Sequence, residues 1–252
     1  MFTKNGNILK INGNWLNPSG SPVPPGPSLP PNTVRVRTND GNVPQKRGSD
    51  TTYETATLVP GTNDVYDVYK SGTSFVWLFQ QSENIVEVLG ANTTGITDMS
   101  GMFKNCYNLT TVPLFNTSSV TSMASMFSSC RSLTTIPLFD TSNVTLTSSM
   151  FYYCTSLTHI PLLNTSKVTR MDDMFYYCTS LTIVPLLNTS NVTSMYDIFN
   201  NCINVETGAL ALYQQASNQT TPPSDYTRAF RDCGSNTQTG STELAQIPSD
   251  WK

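Results

Sequence analysis

Between residues 92 and 211 the apolar side chains return every 24 positions. Set in phase, the copies read NTTGITDMSGMFKNCYNLTTVPLF, NTSSVTSMASMFSSCRSLTTIPLF, DTSNVTLTSSMFYYCTSLTHIPLL, NTSKVTRMDDMFYYCTSLTIVPLL and a decaying NTSNVTSMYDIFNNCINVETGALA. Phenylalanine holds one place in the cycle (Phe103, Phe127, Phe151, Phe175, Phe199), and cysteine follows three residues later at Cys106, Cys130, Cys154, Cys178 and Cys202. A fixed period of this length marks a solenoid, in which each coil buries its apolar face against its neighbours.

Within a copy, Leu133, Ile136 and Leu138 have the L-x-x-L-x-L spacing of a leucine-rich-repeat strand, and so do Leu157, Ile160, Leu162 and Leu181, Val184, Leu186. Stacked coils would pair these short strands in parallel. Phe and Cys at i and i+3 fit one face of a helical turn, with Met123 and Met126 filling the core beside them. Pro113, Pro137, Pro161 and Pro185 fall inside the strand signature. Proline donates no ladder bond, so two to four paired residues per coil are expected, with a proline stripe just beyond. The stripe Phe115, Phe139, Leu163, Leu187 reads as core. The small polar residues of TSNVT suit the satisfaction of turn backbone. The fold class expected is a solenoid of 24-residue leucine-rich repeats with short parallel strands and helical turns, behind a small N-terminal antiparallel β cap.

The flanks complete this architecture. Stepping back 24 residues places Phe79, Leu78, Ile85 and Val88 on repeat positions, so residues 68–91 form a worn first coil. Phe230 and Cys233 restate the Phe-x-x-Cys element after a seven-residue insertion within QQASNQTTPPSD, and Leu244, Ile247 and Pro248 echo the strand pattern; the solenoid is therefore assigned to 68–252. Residues 33–67 alternate as strands in TVRVRT, TYETATLV and NDVYDVY, and form the β cap over the first coil. Residues 17–32 hold seven prolines and form an extended linker. Residues 1–16 are too few for a core of their own. They read either as a disordered leader or, since apolar Ile8, Leu9, Ile11, Trp15 and Leu16 are costly to leave in water and Asn5-Gly6 and Asn12-Gly13 mark turns, as a small hairpin or strand that docks on a partner; the second reading is the one adopted.

Composition narrows the function. Charged residues are 12% and the net charge is -3, about half the usual charged share, with no basic patch for nucleic acid. Six cysteines in 252 residues might suggest disulfides or zinc, but five are repeat positions, no C-x-x-C occurs and there is one histidine; buried free thiols are expected, and no metal or other cofactor. No apolar run reaches the roughly 18 residues of a membrane span, and the first residues lack a signal-peptide pattern. No membrane insertion and no export are expected.

The cycle Met-Phe-x-x-Cys-x-x-Leu-Thr-x-Ile-Pro-Leu-x-x-Thr-Ser-x-Val-Thr-x-Met resembles the BspA-like class of leucine-rich repeats, found in bacterial and protist surface proteins and in phage virion proteins. The resemblance covers about residues 68 to 250. It implies adhesion or host binding, not catalysis. With no export signal visible, it points to a virion protein of the phage tail or head-fibre type, made in the host cytoplasm. The alternatives are a structural virion subunit packed against its neighbours, or an adhesin at the bacterial cell surface. The partners implied are other virion proteins through the N-terminal segment and a host surface glycan or protein; self-association is left open.

Because inward positions repeat, binding is sought where the period breaks. The two residues after each Phe are Lys104-Asn105, Ser128-Ser129, Tyr152-Tyr153, Tyr176-Tyr177 and Asn200-Asn201. Tyr152, Tyr153, Tyr176 and Tyr177, with Tyr107 in the first copy, form the candidate ligand face, since tyrosine gives rigid contact area at low entropic cost. His159 stands on a second candidate face, equivalent to Thr111, Thr135 and Ile183. Asp172-Asp173 reads as an isolated acidic step, and no catalytic group is marked.

Overall fold

The computed structural model describes residues 29–44 and 53–252, together with the backbone of two short strands, β1 (Lys10–Ile11) and β2 (Asn14–Trp15). Residues 1–30 and 31–252 are separate compact units. In the first, β1 and β2 pair antiparallel, Lys10 opposite Trp15 and Ile11 opposite Asn14. Of the docking residues, Ile8, Leu9 and Leu16 lie outside the described residues.

The second unit begins with a four-stranded antiparallel sheet. Its strands are β3 (Thr33–Thr38), β4 (Thr55–Leu58), β5 (Val65–Tyr69) and β6 (Ile85–Asn92), in the order β4-β5-β3-β6. The alternation of β3 buries Val34 and Val36 and turns Arg35 and Arg37 outward, where they meet Asp67 at 2.6 Å and Glu87 at 2.7 Å across the neighbouring strands. The fourth strand, β6, comes from the stretch read as the first coil, so cap and coil share one sheet. Its carbonyls and N–H groups then engage the next coil: the Thr110 N–H donates to Val86 O at 2.9 Å and the Val88 N–H to Thr111 O at 3.2 Å. The sheet edge facing the coils is thereby paired.

In the coils the ladder sits elsewhere than expected. Parallel bridges run Ser74–Asp98–Ser122–Leu146–Arg170–Ser194–Asp225, in the segment after Val-Thr. The L-x-x-L-x-L run carries only scattered bonds, such as the Thr158 N–H to Thr134 O at 3.2 Å, because each proline there removes a donor. Leu138, Leu162 and Leu186 are not inward: they are 61%, 66% and 56% exposed, and Leu114 is 65% exposed. The following Phe115, Phe139, Leu163 and Leu187 are buried.

The expected helical turn is also replaced. From Met123 to Cys130 the chain makes back-to-back turns, with Met126, Ser128 and Cys130 N–H groups donating to the carbonyls of Met123, Ser125 and Phe127. The intervening N–H groups of Met123, Ser125, Phe127 and Ser129 point to the next coil, donating to Leu146, Ser148, Met150 and Tyr152 carbonyls at 2.6–3.0 Å. Alternate N–H groups thus close local turns and join coils, satisfying the backbone without helix or continuous strand. The carbonyls of Phe79, Phe103, Phe127, Phe151 and Phe175 accept in addition from the thiol of the following coil, as in Cys130 Sγ to Phe103 O at 3.1 Å and Cys154 Sγ to Phe127 O at 3.1 Å. Thr side chains bridge coils too: Thr121 and Thr145 hydroxyls donate to Thr97 and Thr121 carbonyls.

The core is a column of phenylalanines. Phe79, Phe103, Phe127, Phe151, Phe175, Phe199 and Phe230 stack with centroids 4.9–6.0 Å apart. All six cysteines are free and buried beside it. At the far end two helices appear that the repeat pattern hides, α1 (Ala209–Ser217) and α2 (Gln238–Gln246). The last three residues of the decaying fifth copy open α1, which buries Ala209, Leu212 and Ala216. Leu244 lies in α2, not in a strand echo, and Thr237 caps that helix by accepting from the Gly240 N–H at 3.0 Å. Trp251 closes the column, its carbonyl accepting from the Phe230 N–H at 2.9 Å.

Candidate functional site

The run of turns requires left-handed backbone at two places per coil, two residues before each phenylalanine and two residues after it. The earlier place holds Trp77, Gly101, Ser125, Ser149, Asp173, Asp197 and Arg228; the later holds Gln81, Asn105, Ser129, Tyr153, Tyr177, Asn201 and Asp232, all with φ between 53° and 62°. Gly, Asn and Asp take this conformation readily, whereas a bulky residue is an outlier there. Tyr153 and Tyr177 therefore sit where a smaller residue would be cheaper. Each is held by the coil ladder, through the Tyr153 N–H to Tyr176 O at 2.8 Å and the Tyr177 N–H to Asn200 O at 2.9 Å.

The ladder brings the four tyrosines into one half-buried block. Tyr152 stacks on Tyr176 at 5.0 Å and 10°, and Tyr153 on Tyr177 at 4.6 Å and 9°. The columns lean together, with Tyr152–Tyr153 at 4.9 Å and 44°. Where the second copy has Ser128-Ser129, the rings stop and a hollow of about 270 Å³ opens, with Tyr152 and Lys104 among its walls. The Lys104 Nζ lies 5.3 Å from the Trp77 ring centroid.

On the other side the block meets charge. Asp173 is half-buried beside Asp197 and Asp172; burial first, then those two carboxylates, raise its pKa to about 6. Asp197 is itself buried and accepts from Arg228 Nη2 at 2.6 Å and Asn200 Nδ2 at 2.5 Å. The Arg228 guanidinium also bonds the Tyr196 hydroxyl and lies 5.0 Å from that ring. Asp172 accepts from Arg170 Nε at 2.7 Å and from the Ser194 hydroxyl. Asp172-Asp173 is thus part of a cluster and not isolated. Burial pushes the cysteine thiols up, Cys202 to about 12, which suits packing and not nucleophilic chemistry.

Of the candidate residues, Tyr152, Tyr153, Tyr176 and Tyr177 come together. Tyr107 stands outside the block, under the Arg131 guanidinium at 4.9 Å. His159 is exposed, with its Nδ1 3.1 Å from the Thr158 hydroxyl, away from the block's contacts. Ile11 and Trp15 lie in β1 and β2. Sequence reading missed Asp173, Asp197 and Arg228. Aligning on phenylalanine puts all three at the same place in successive coils, a signal masked by the insertion before Phe230.

Residues 73–182 and 158–231, together more than half of the chain, match the family described as Mycoplasma protein of unknown function, DUF285. The chain belongs to this family. The DUF285 repeats are of the BspA type, which points to a surface or adhesion-type protein; the match gives no support to a phage setting. No curated protein matches the chain. A leucine-rich repeat protein from Eubacterium ventriosum is similar in structure at a TM-score of 0.44 and 18% identity, over 68% of this chain and 48% of that one. This DUF285 chain thus spans about half the length of that protein.

Proposed function

We propose that the chain is a non-catalytic binding protein of the surface or adhesion type, whose coils form a solenoid presenting the tyrosine block to a glycan or protein on a partner surface. The observation that carries this reading is the pair Tyr153 and Tyr177, held at φ 57° and 61°. An uncommon backbone state occupied by a bulky side chain is a reason to look for function, and these two of the bulky left-handed residues stack on each other in one aromatic face. The test is attachment of purified protein to candidate surfaces. A Tyr152→Ser/Tyr176→Ser variant should bind at least tenfold more weakly; attachment at wild-type strength refutes the reading.

A structural role, in which the solenoid packs against neighbouring subunits, is favoured by a different observation, the exposed ridge of Leu114, Leu138, Leu162 and Leu186. Exposed apolar surface arranged in a line marks an interaction site more often than scattered leucines do. The finer setting, a virion appendage docked by residues 1–16 and projected by the proline linker, is supported by the motif resemblance alone. It predicts that removing residues 1–32 leaves a folded protein that no longer enters particles, whereas normal incorporation rejects it.

A further inference from the structure

The aromatic columns stop one coil short of a cation. The coils bearing Lys104 and Tyr152 are two steps apart, the steps being 5.7 Å between Phe103 and Phe127 and 5.8 Å between Phe127 and Phe151. Between them the coil offers only Ser128 and Ser129, both buried at the base. Tyr152 has Tyr176 on one face, and its opposite face borders the hollow it shares with Lys104. The slot is thus the place in the column that a ring at residue 128 would fill.

We infer that this slot is a subsite for a carboxylate-bearing pyranose ring, seated between Tyr152 and Lys104 in the position of the missing ring. The inference rests on the binding role proposed above and names the ligand class. Three features of the slot select it. Its volume, about 270 Å³, lies just under the range for drug-sized ligands and suits one ring. Its lining pairs one aromatic face with hydroxyl and amide groups of Ser125, Ser149 and Asn105. A pyranose has a C–H face for the phenol and a rim of hydroxyls for the serines. An apolar or aromatic side chain of a protein would leave those polar groups without partners. The lining also holds one cation and no carboxylate. The Trp77 ring steadies the Lys104 ammonium at 5.3 Å while its three donors leave capacity for an acid group.

The test is titration calorimetry of the full chain with a galacturonic acid disaccharide and with its neutral galactose counterpart. The wild type is expected to bind the acidic sugar at least tenfold more tightly. Lys104→Gln should erase that preference. Ser128→Tyr supplies the ring and closes the slot, so it should weaken acidic-sugar binding more than tenfold with unchanged thermal unfolding. Ser128→Met fills the same space and serves if the tyrosine variant misfolds. Stronger binding by either filled variant would place the ligand on the outer rim of the tyrosines and overturn the slot. Equal binding of both sugars overturns the carboxylate, and no binding of either overturns the inference. In that last case, attachment still lost in the Tyr152→Ser/Tyr176→Ser variant keeps the binding role and assigns it to a protein partner.

Discussion

Replacing Asp173 with asparagine isolates the charge in the acidic cluster. The carboxyl of Asp173 titrates at about 6 against an ordinary 3.8, through burial and then the negative charges of Asp197 and Asp172, with Arg228 opposing them. The phenols of Tyr152 and Tyr176 also face it. A shift of this size corresponds to about 3 kcal/mol at roughly 1.4 kcal/mol per unit. The side chain is only partly buried, so screening reduces the effect to about 1–2 kcal/mol. The sign follows from proton uptake. The folded chain holds a proton that the unfolded chain releases, so the stability this group contributes is full below the unfolded pKa and is lost as pH rises through about 6. Asparagine keeps the shape, does not titrate and tolerates φ 55°. Asp173→Asn should therefore be about 1–2 kcal/mol more stable than wild type at pH 7.5, with the two converging below pH 4. Urea unfolding followed by circular dichroism at both pH values measures this. A difference of equal size at the two pH values, or a destabilised variant at pH 7.5, would refute the electrostatic account.

The remaining expectations concern the core, the ridge and the strained tyrosines. All six thiols should be silent to a thiol reagent in the native chain and all six should react in denaturant, since each is buried and free; fast native labelling would contradict the stacked core. Leu162→Ser should leave stability within about 0.5 kcal/mol, as for a surface site, while lowering hydrophobic-dye binding and any self-association. At Tyr177, asparagine relieves about 1–2 kcal/mol of left-handed strain and gives up about 0.5–1.5 kcal/mol of stacking on Tyr153, so its net stability should be near that of wild type. Alanine relieves less and loses the same stacking, so it should be about 1 kcal/mol less stable than asparagine by thermal or urea unfolding; equal stability of the two variants would show that the backbone state carries no cost.

The period, the phenylalanine column and the buried cysteines were legible because each is one residue type at one place in 24. The cap strand β3 was legible from Val34 and Val36 alternating with Arg35 and Arg37. The L-x-x-L-x-L run misled for a physical reason: Pro137 and its counterparts remove the ladder donor, and the leucine after each proline turns outward. The run of turns was hidden because its marker is backbone sign, and Tyr153 and Tyr177 occupy positions that Asn105 and Asn201 would have advertised. The helices α1 and α2 were masked by the expectation of a further coil. The tyrosine pairs were found because they break the period. Asp173, Asp197 and Arg228 were not, because the insertion before Phe230 shifts Arg228 out of phase by seven residues.

A stack of near-identical coils has little freedom to build a site. Its core positions are fixed by the phenylalanine column and its backbone by bonds to both neighbours, so only outward positions can vary. Side chains at the same outward place in adjacent coils then meet at the coil spacing, as Tyr152 and Tyr176 do at 5.0 Å. A surface is therefore written as a vertical order of residues: Lys104, Ser128, Tyr152, Tyr176 and Asn200 in one column, Asn105, Ser129, Tyr153, Tyr177 and Asn201 in the other. The second column crosses the left-handed backbone that the ladder demands, and there the two tyrosines run against a local cost of about 1–2 kcal/mol each. Nothing in the core calls for them, since Cys154 and Cys178 pack and bond as Cys130 and Cys202 do. The strain is borne by residues whose contacts are with one another and with solvent, which is where selection for a ligand, and not for folding, would leave it.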